Sequence, residues 1–187
     1  MPHKQSKIDP KVLKDVLDYN PDTGALTWKK RPVSMFREGT YPTERSAQKW
    51  NTKYAGKPAF TSFDDGGYHA GSVLGEIHKA HRVIWALVHG YWPKEEVDHI
   101  NGTRSDNKLI NLREVSSAVN GRNTALSKNN KSGYSGISWH QNSQTWRVCI
   151  CKKNFGKFNN IEDAVIARRK AMAAIGGFTD RHGELKP

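Results

Sequence analysis

The sequence predicts an α+β protein composed of small units, and three observations lead to this fold class. A chain of 187 residues has room for one ordinary domain or for two or three small ones. Twice along the chain, short predicted strands separated by turn-forming residues are followed by a helix. The six Trp, six Tyr and six Phe residues supply the apolar bulk that small units with thin cores require.

The first predicted part, residues 1–58, begins with a helix that Asp9 caps and in which Pro10 takes the first position. A turn then leads into a short strand at residues 25–28. Residues 29–57 are polar and basic and show no clear periodicity. We therefore expect a basic arm there, extended or folded as a long loop.

The second predicted part, residues 59–127, contains a ββα unit. A hairpin at residues 68–80 and a short apolar helix at 81–90, closed by a glycine, precede it. The ββα unit itself follows in the order strand 97–100, polar loop 101–110, strand 111–115 and helix 116–126.

The third predicted part, residues 128–187, is a linker followed by a three-stranded antiparallel sheet and a helix. Turn-forming residues separate the strands expected at 134–140, 145–151 and 155–158. Asn160 is placed to cap the final helix, with Asp163 three positions further on.

The formal net charge of +12 points to a polyanionic partner. Residues 128–187 carry 11 Lys/Arg and 4 Asp/Glu, a net of +7, whereas residues 1–127 carry 19 and 14, a net of +5. Nucleic-acid binding is therefore expected to concentrate in the tail. No run approaches the roughly 18 apolar residues of a membrane span. Two cysteines cannot build a disulfide framework or a four-thiolate zinc site, so we expect a soluble protein of a reducing compartment.

Asp98 and His99 form the chemically richest pair in the chain. They are adjacent at the end of a predicted strand, so their side chains point to opposite faces. A carboxylate on one face can hold a hard divalent cation while an imidazole on the other acts as a base, a division of labour that phosphodiester cleavage requires. The asparagine-rich loop that follows favours this functional interpretation over a purely structural one.

Several short motifs surround this pair, namely His81-Arg82-Val83, Val97 to Gly102, Asp106-Asn107, Asn111-Leu112-Arg113 and Asn120 to Asn123. Together they resemble the HNH endonucleases of phages and group I introns, within the subgroup in which Asn replaces the last His. The resemblance covers residues 66–126. Residues 18–28 are also similar to the usual start of phage-encoded members.

The resemblance implies a ββα-metal (His-Me finger) nuclease core in which four residues have defined roles. Asp98 would be a metal ligand and His99 the general base. Asn111 would be the structural middle residue, whose amide holds the loop so that His99 is oriented. Asn120 would be the second metal ligand, with Asn123, nearly one helical turn further on, as the fallback.

An Asp and Asn ligand set is harder than one that contains His, and it favours Mg²⁺, with Mn²⁺ able to substitute. No structural zinc is expected, since the two Cys pairs that hold it in some members are missing. His81 is expected to fix the start of its helix, with phosphate contact as the alternative. Phosphate contact or simple solvation is expected for the arginines of this region, Arg82, Arg104, Arg113 and Arg122.

A second resemblance covers residues 132–178 and rests on Ser132 to Trp139, Trp146-Arg147-Val148, Phe155 to Phe158 and Glu162-Asp163-Ala164. These motifs resemble the APETALA, or ethylene-response-factor type, DNA-binding domain, whose sheet enters the major groove. The DNA contacts that the resemblance nominates are Trp139, Arg147, Lys152, Lys153 and Lys157. Core packing is an equal alternative for Trp139.

The leading functional hypothesis is an Mg²⁺-dependent, site-preferring DNA endonuclease of the homing type. One active centre predicts a monomer on double-stranded DNA that nicks one strand, leaving 5′-phosphate and 3′-hydroxyl ends by family resemblance. The expected location is the cytoplasm of a phage-infected bacterial host, with no membrane partner. The alternatives are a non-catalytic DNA-binding regulator and a structure-selective phage nuclease.

Overall fold

The structure is a computed structural model that describes residues 6–179 and 182–183. As predicted, the protein is a mixed α and β chain with small antiparallel sheets and a few helices. It divides into two compact units, Met1–Ser116 and Ser117–Pro187. Within the described ranges, no helix is both long and apolar enough to cross a membrane. The predicted first and third parts also include residues outside the described ranges, namely 1–5, 180–181 and 184–187.

The first unit contains three α-helices and eight short strands among its described residues. In chain order these are α1 (Pro10–Val16), β1 (Leu17–Asn20), β2 (Ala25–Trp28), α2 (Thr43–Tyr54), β3 (Pro58–Ala59), β4 (Ser62–Phe63), β5 (His69–Val73), β6 (Glu76–Lys79), α3 (Ala80–His89), β7 (Glu96–His99) and β8 (Leu112–Val115). They form three antiparallel sheets, with strand orders β1-β2-β3, β4-β5-β6 and β7-β8.

One apolar core joins elements from the beginning to the end of the first unit. Leu13 of α1, Leu26 of β2, Ile84 of α3 and Leu112 of β8 are buried in the same cluster. Residues of the predicted first and second parts thus share one core, and they fold here as one unit. The functional division of the chain at residues 1–58, 59–127 and 128–187 stays a prediction.

The first helix and the hairpin after it form as predicted. The Asp9 side chain accepts a hydrogen bond from the Lys11 backbone N–H, and Pro10 begins α1. β1 and β2 pair through a turn that ends at Gly24, with a φ of +75°. A Cβ added at Gly24 would lie 2.7 Å from the Asn107 carbonyl carbon, so the turn packs directly against the loop between β7 and β8.

The expectation of an extended arm or long loop at residues 29–57 is wrong, because α2 occupies twelve of these residues. The helix packs through Ala47, which is buried, and through Trp50, whose ring meets the Trp28 ring edge-on with centroids 5.6 Å apart. These apolar residues have helical spacing, but the polar residues between them hide the period.

The strands and helix around the Asp98-His99 pair also form as predicted. β5 and β6 make a hairpin, and α3 follows directly, ending at Gly90 in the left-handed conformation. β7 and β8 then pair antiparallel, with Asp98 opposite Arg113 and His99 opposite Leu112.

The second unit begins with a helix shorter than expected. The prediction of a helix over 116–126 is wrong, since α4 spans only Ser117–Asn120. Gly121 follows it, and the Asn and Thr residues beyond have weak helix propensity, so helical structure does not continue.

The remainder of the second unit is a three-stranded antiparallel sheet covered by one helix, as predicted. Its strands are β9 (Ile137–His140), β10 (Thr145–Ile150) and β11 (Lys153–Phe158), with β10 in the centre, and its helix is α5 (Ile161–Ile175). Asn160 caps α5 by accepting from the Asp163 N–H. Val148, Ile150 and Ala164 form part of a core separate from that of the first unit.

We predict that Gly24→Ala destabilises the protein more than Gly67→Ala does. Both glycines have a φ of +75°, but a Cβ at Gly67 would meet nothing within 4 Å. Backbone strain alone should lower the free energy of unfolding by about 1 kcal/mol, and the clash at Gly24 should raise that loss to about 2–3 kcal/mol. Urea unfolding followed by tryptophan fluorescence measures both losses. Equal losses would contradict close packing of this turn against residues 107–108.

Candidate active site

The candidate active site lies at the end of β7, where two polar residues are buried side by side. Asp98 is 9% exposed and His99 is 3% exposed. Because they are successive residues of a strand, their side chains leave it on opposite faces. The paired strand β8 brings the Arg113 side chain to the same face as Asp98.

Asp98 forms an ion pair with Arg113. Arg113 Nη2 lies 2.9 Å from Asp98 Oδ2, and Arg113 Nε donates to the same oxygen at 3.1 Å. The guanidinium thus compensates the charge of a largely buried carboxylate. The sequence predicted Arg113 as a DNA contact, and that role stays a prediction; its position is beside the candidate metal ligand.

His99 is held by a hydrogen bond to Asn107. The distance from His99 Nε2 to Asn107 Oδ1 is 3.0 Å, and Asn107 is only 4% exposed. An amide oxygen can only accept a hydrogen bond, so His99 Nε2 carries the proton and donates it to Asn107 Oδ1. The lone pair of the neutral ring therefore lies on Nδ1. Burial lowers the pKa of His99, while the Asn107 hydrogen bond and the Asp98 charge raise it less. A neutral imidazole of fixed tautomer is what a general base requires.

Two aromatic rings complete the surroundings of His99. His81 meets it edge-on with ring centroids 5.0 Å apart, and the Tyr68 ring lies 5.8 Å away. Burial, and then the nearby His99, lower the pKa of His81 to about 3, so this ring is neutral. Among the described residues, no hydrogen-bond partner reaches the buried His81 Nδ1. His81 lies at the start of α3 and packs against the site, which is the placement that its expected structural role requires.

Asn111 ties the two ends of the loop between β7 and β8 together. Its Nδ2 donates to Asn101 Oδ1 at 3.0 Å and to the Asp106 carbonyl at 2.8 Å, and its Oδ1 accepts from the Asn101 N–H at 2.9 Å. Its carbonyl also accepts from the Ile100 N–H. This geometry is the one that the predicted orienting role of Asn111 calls for, and the role itself stays a prediction.

The first hairpin supports the same loop from outside. The Tyr19 hydroxyl donates to the Asn107 carbonyl at 2.9 Å, and Gly24 packs against the Asn107 backbone. Two residues to which the sequence assigned no role, Asn107 and Tyr19, therefore set the position of the His99 ring. Asn107 stands in the Asp106-Asn107 motif and Tyr19 in the opening motif at 18–28, which is the signal that could have identified them.

The predicted ligands Asn120 and Asn123 belong to the second unit, whereas Asp98 and His99 belong to the first. Asn120 ends α4. Asn123 is 7% exposed, and its Oδ1 accepts from the Thr179 hydroxyl at 2.6 Å. Their roles as ligands stay predictions.

The donor set suits a hard cation. Asp98 would supply a carboxylate oxygen, and the ligand predicted at Asn120 would be an amide oxygen; Mg²⁺ and Mn²⁺ accept both kinds of donor. Across the described part of the chain, no group of three or more His, Cys, Asp or Glu side chains could hold a metal ion. A site built from one carboxylate and one amide does not require such a group.

The other predicted arginines of this region have protein partners. Arg82 donates to the backbone carbonyls of Glu95 and Pro93, which fastens α3 to the strand that follows it. Arg104 donates to the Gly66 carbonyl and lies over the Tyr68 ring.

In the second unit, Arg122 donates to the Gly176 carbonyl. DNA contact by Arg82, Arg104 and Arg122 stays a prediction.

The residues nominated as DNA contacts in the second unit separate onto two faces of its sheet. Arg147 is exposed and pairs with Lys157 across β10 and β11, so both lie on the face that α5 leaves open. Trp139 pairs with Trp146, which packs on the α5 side, although 44% of Trp139 is exposed. Lys152 lies in the turn between the two strands, and Lys153 directly after it begins β11. The sheet thus brings Arg147 and Lys157 together and leaves Trp139 on the opposite face.

Comparison with known proteins agrees with this site. The HNH endonuclease family pattern matches residues 78–122, a segment that includes His81, Asp98, His99, Asn111 and Asn120. Protein 3.8 of Escherichia phage T7 is 34% identical over 83 residues, which cover 44% of this chain and 67% of that protein. No solved structure matches the chain.

The family match contains the buried Asp-His pair, the loop that Asn111 closes and the asparagine that holds His99, and the phage relative shares a wider stretch of sequence. The chain therefore belongs to the HNH endonuclease family and carries the family's nuclease domain at residues 78–122.

Proposed function

We propose that the protein is an Mg²⁺-dependent endonuclease that nicks double-stranded DNA at a preferred site, with His99 as general base. The observation that carries the proposal is the buried His99 ring, whose Nε2 lies 3.0 Å from Asn107 Oδ1 within the matched HNH segment. This hydrogen bond leaves the lone pair of the neutral ring on Nδ1, where a proton can be accepted.

Hydrolysis then needs one proton acceptor and one centre that stabilises negative charge. His99 Nδ1 takes a proton from water as the water oxygen bonds to phosphorus. The bond from phosphorus to the 3′ oxygen breaks, and that oxygen gains a proton from solvent, which leaves 5′-phosphate and 3′-hydroxyl ends. A divalent cation held by Asp98 and Asn120, with Asn123 as the fallback, would neutralise the charge that develops on the phosphate and the departing oxygen.

The protein groups around His99 act by position. Asn107 fixes the tautomer and the ring plane, while His81 and Tyr68 exclude water from one side of the ring. Arg113 compensates the Asp98 charge before substrate arrives.

The second unit is proposed to hold DNA through the open face of its sheet, as in ethylene-response-factor type domains. Arg147 and Lys157 supply paired cations on that face, and the interstrand turn adds Lys152 and Lys153. Trp139, at the edge of the opposite face, would contact DNA only through its exposed part. The proposed site preference rests on this sheet, and the proposed homing role rests on the resemblance of the motifs around Asp98 and His99 to endonucleases of phages and group I introns.

The first test is plasmid nicking. Wild-type protein with Mg²⁺ should convert supercoiled plasmid to open circles, and His99→Ala should slow this by about 10²- to 10⁴-fold, the usual contribution of a general base. His89→Ala is the matched control, because His89 is an exposed histidine at the end of α3 and should leave the rate unchanged.

Supercoiled plasmid left intact by the wild type would rule out the nuclease. Nicks mapped to one position support the homing type, whereas nicks that follow DNA structure instead of sequence support the structure-selective alternative. EDTA should abolish nicking, and Mn²⁺ should restore it.

The second test addresses the support of His99. Asn107→Ala removes the acceptor of the Nε2 proton, so the turnover rate should fall by about 10-fold or more, but by no more than in His99→Ala, while KM for DNA stays constant. Asn107→Asp keeps an acceptor oxygen and should recover most of the rate.

Ile110→Ala, in the same loop but 88% exposed, is the control and should match the wild type. Single-turnover kinetics separate the two quantities. A rise in KM with an unchanged rate in Asn107→Ala would contradict the positioning role.

The third test concerns the sheet face. Replacing Arg147 and Lys157 together by Gln should make the salt dependence of DNA binding shallower, by about 0.9 in log–log slope for each phosphate that the variant no longer binds. Arg169 and Lys170, exposed on α5, form the control pair and carry the same charge. Fluorescence anisotropy of a labelled duplex in EDTA gives both slopes. Equal effects of the two pairs would contradict a specific role of the open face.

A further inference from the structure

The positive charge of the first 127 residues is concentrated in one segment. Residues 29–57 contain 8 Lys/Arg and 2 Asp/Glu, a net of +6, while residues 1–127 as a whole have a net of +5. The remainder of that stretch holds 11 Lys/Arg and 12 Asp/Glu and is therefore slightly negative. The excess of positive charge in this stretch therefore lies in residues 29–57, most of which are α2 and its flanking turns.

Three of these charges form a stripe along α2. Arg45, Lys49 and Lys53 are spaced four residues apart, lie on one face and are exposed. Like charges at this spacing destabilise a helix, so the stripe is not explained by helix stability. Among the described residues, none of the three has a carboxylate within ion-pair distance. Arg45 and Lys49 instead lie over the Tyr41 ring, at 4.8 and 5.4 Å from its centroid.

The opposite side of α2 fixes the stripe to the first unit. Arg31 lies between two indole rings, with its guanidinium carbon 4.0 Å from the Trp50 centroid and 5.0 Å from that of Trp28. Asn51 makes two hydrogen bonds of 2.9 Å with the Arg31 backbone. The helix is thus anchored along one side, with its basic residues directed to solvent.

The end of α2 leads to the loop that supports His99. The Gly56 N–H donates to the Trp28 carbonyl at 2.8 Å, which ties the chain after α2 to β2. Pro58, two residues later, lines a cleft of about 220 Å³ whose other lining residues include Ser105 and Asn107. Asn107 is the residue that holds His99, so the strand that directly follows α2 and the loop that supports His99 line the same cleft.

We propose that the stripe formed by Arg45, Lys49 and Lys53 binds the sugar-phosphate backbone of the DNA whose phosphodiester reaches His99. The stripe spans about 12 Å at 1.5 Å per residue, and over that length of duplex axis one strand carries three or four phosphates, at about 3.4 Å of axis for each. Simple charge contacts of this kind hold DNA without reading its sequence. This inference rests on the proposed nuclease function and adds a second DNA-holding surface, distinct from the sheet of the second unit.

The test compares two triple variants of the full chain that remove equal charge. One replaces Arg45, Lys49 and Lys53 by Gln, and the other replaces Lys11, Lys14 and Lys94, exposed lysines elsewhere in the first unit. Binding to a labelled duplex in EDTA is measured between about 50 and 300 mM KCl, a range over which phosphate binding weakens strongly. The stripe variant should have a log–log slope shallower by about 2–3, since each phosphate released from the protein reduces it by about 0.9, and the control should keep the wild-type slope.

Circular dichroism of both variants shows whether α2 remains folded, and each single Gln variant of the stripe should give about a third of the slope change. A wild-type slope in the stripe variant, or an equal decrease in the control, overturns the inference. Plasmid nicking by the wild type is followed in parallel. If the wild type nicks DNA while the stripe variant keeps the wild-type slope, only this inference fails; if the wild type neither binds nor nicks, the proposed function fails as well.

Discussion

The hydrogen bond between His99 and Asn107 is the interaction on which the candidate site depends, and most of the first unit serves to keep it in place. Asn107 lies in a loop without regular structure of its own until residue 109, so its position has to be imposed from outside. Within the loop, Asn111 donates a hydrogen bond to the Asp106 carbonyl. From the first hairpin, the Tyr19 hydroxyl donates to the Asn107 carbonyl, and Gly24 packs against the Asn107 backbone. The amino-terminal elements are therefore part of the nuclease unit and not an appendage to it.

The electrostatics of the site follow from its burial. A carboxylate and three imidazole or guanidinium groups lie buried or half-buried on the two faces of the strands at the end of β7, and an uncompensated buried charge there would be costly. The two histidines meet this constraint by staying neutral, since burial lowers both pKa values, whereas Asp98 meets it by pairing with Arg113. The burial that keeps His99 neutral is thus also what its proposed role as a base requires.

The sequence predicted those parts of the fold and of the candidate site that depend on residues close together in the chain, and it missed those that depend on residues far apart. The helix cap at Asp9, the hairpin before α3 and the cap of α5 involve neighbours within a few residues, and the structure confirms them. The hydrogen bond between Tyr19 and Asn107 joins positions 88 residues apart, and no local sequence pattern predicts it. The helix α2 was missed for a related reason, because its packing residue Trp50 contacts Trp28 and Arg31, which lie about 20 residues earlier in the chain and outside the helix.

The Lys and Arg side chains near the candidate active site differ in their contacts from those proposed to bind DNA. Near the active site, Arg82 and Arg104 are bound to backbone carbonyls and Arg113 to Asp98, so phosphate binding by any of them would compete with contacts that hold the fold. Two other groups of cations form no ion pair with a carboxylate in the described structure. They are Arg45, Lys49 and Lys53 on α2, and Arg147 and Lys157 on the open face of the sheet. In the function proposed above, affinity for the DNA backbone would therefore belong to side chains that can change without disturbing His99, and catalysis to a group whose position does not depend on surface charge.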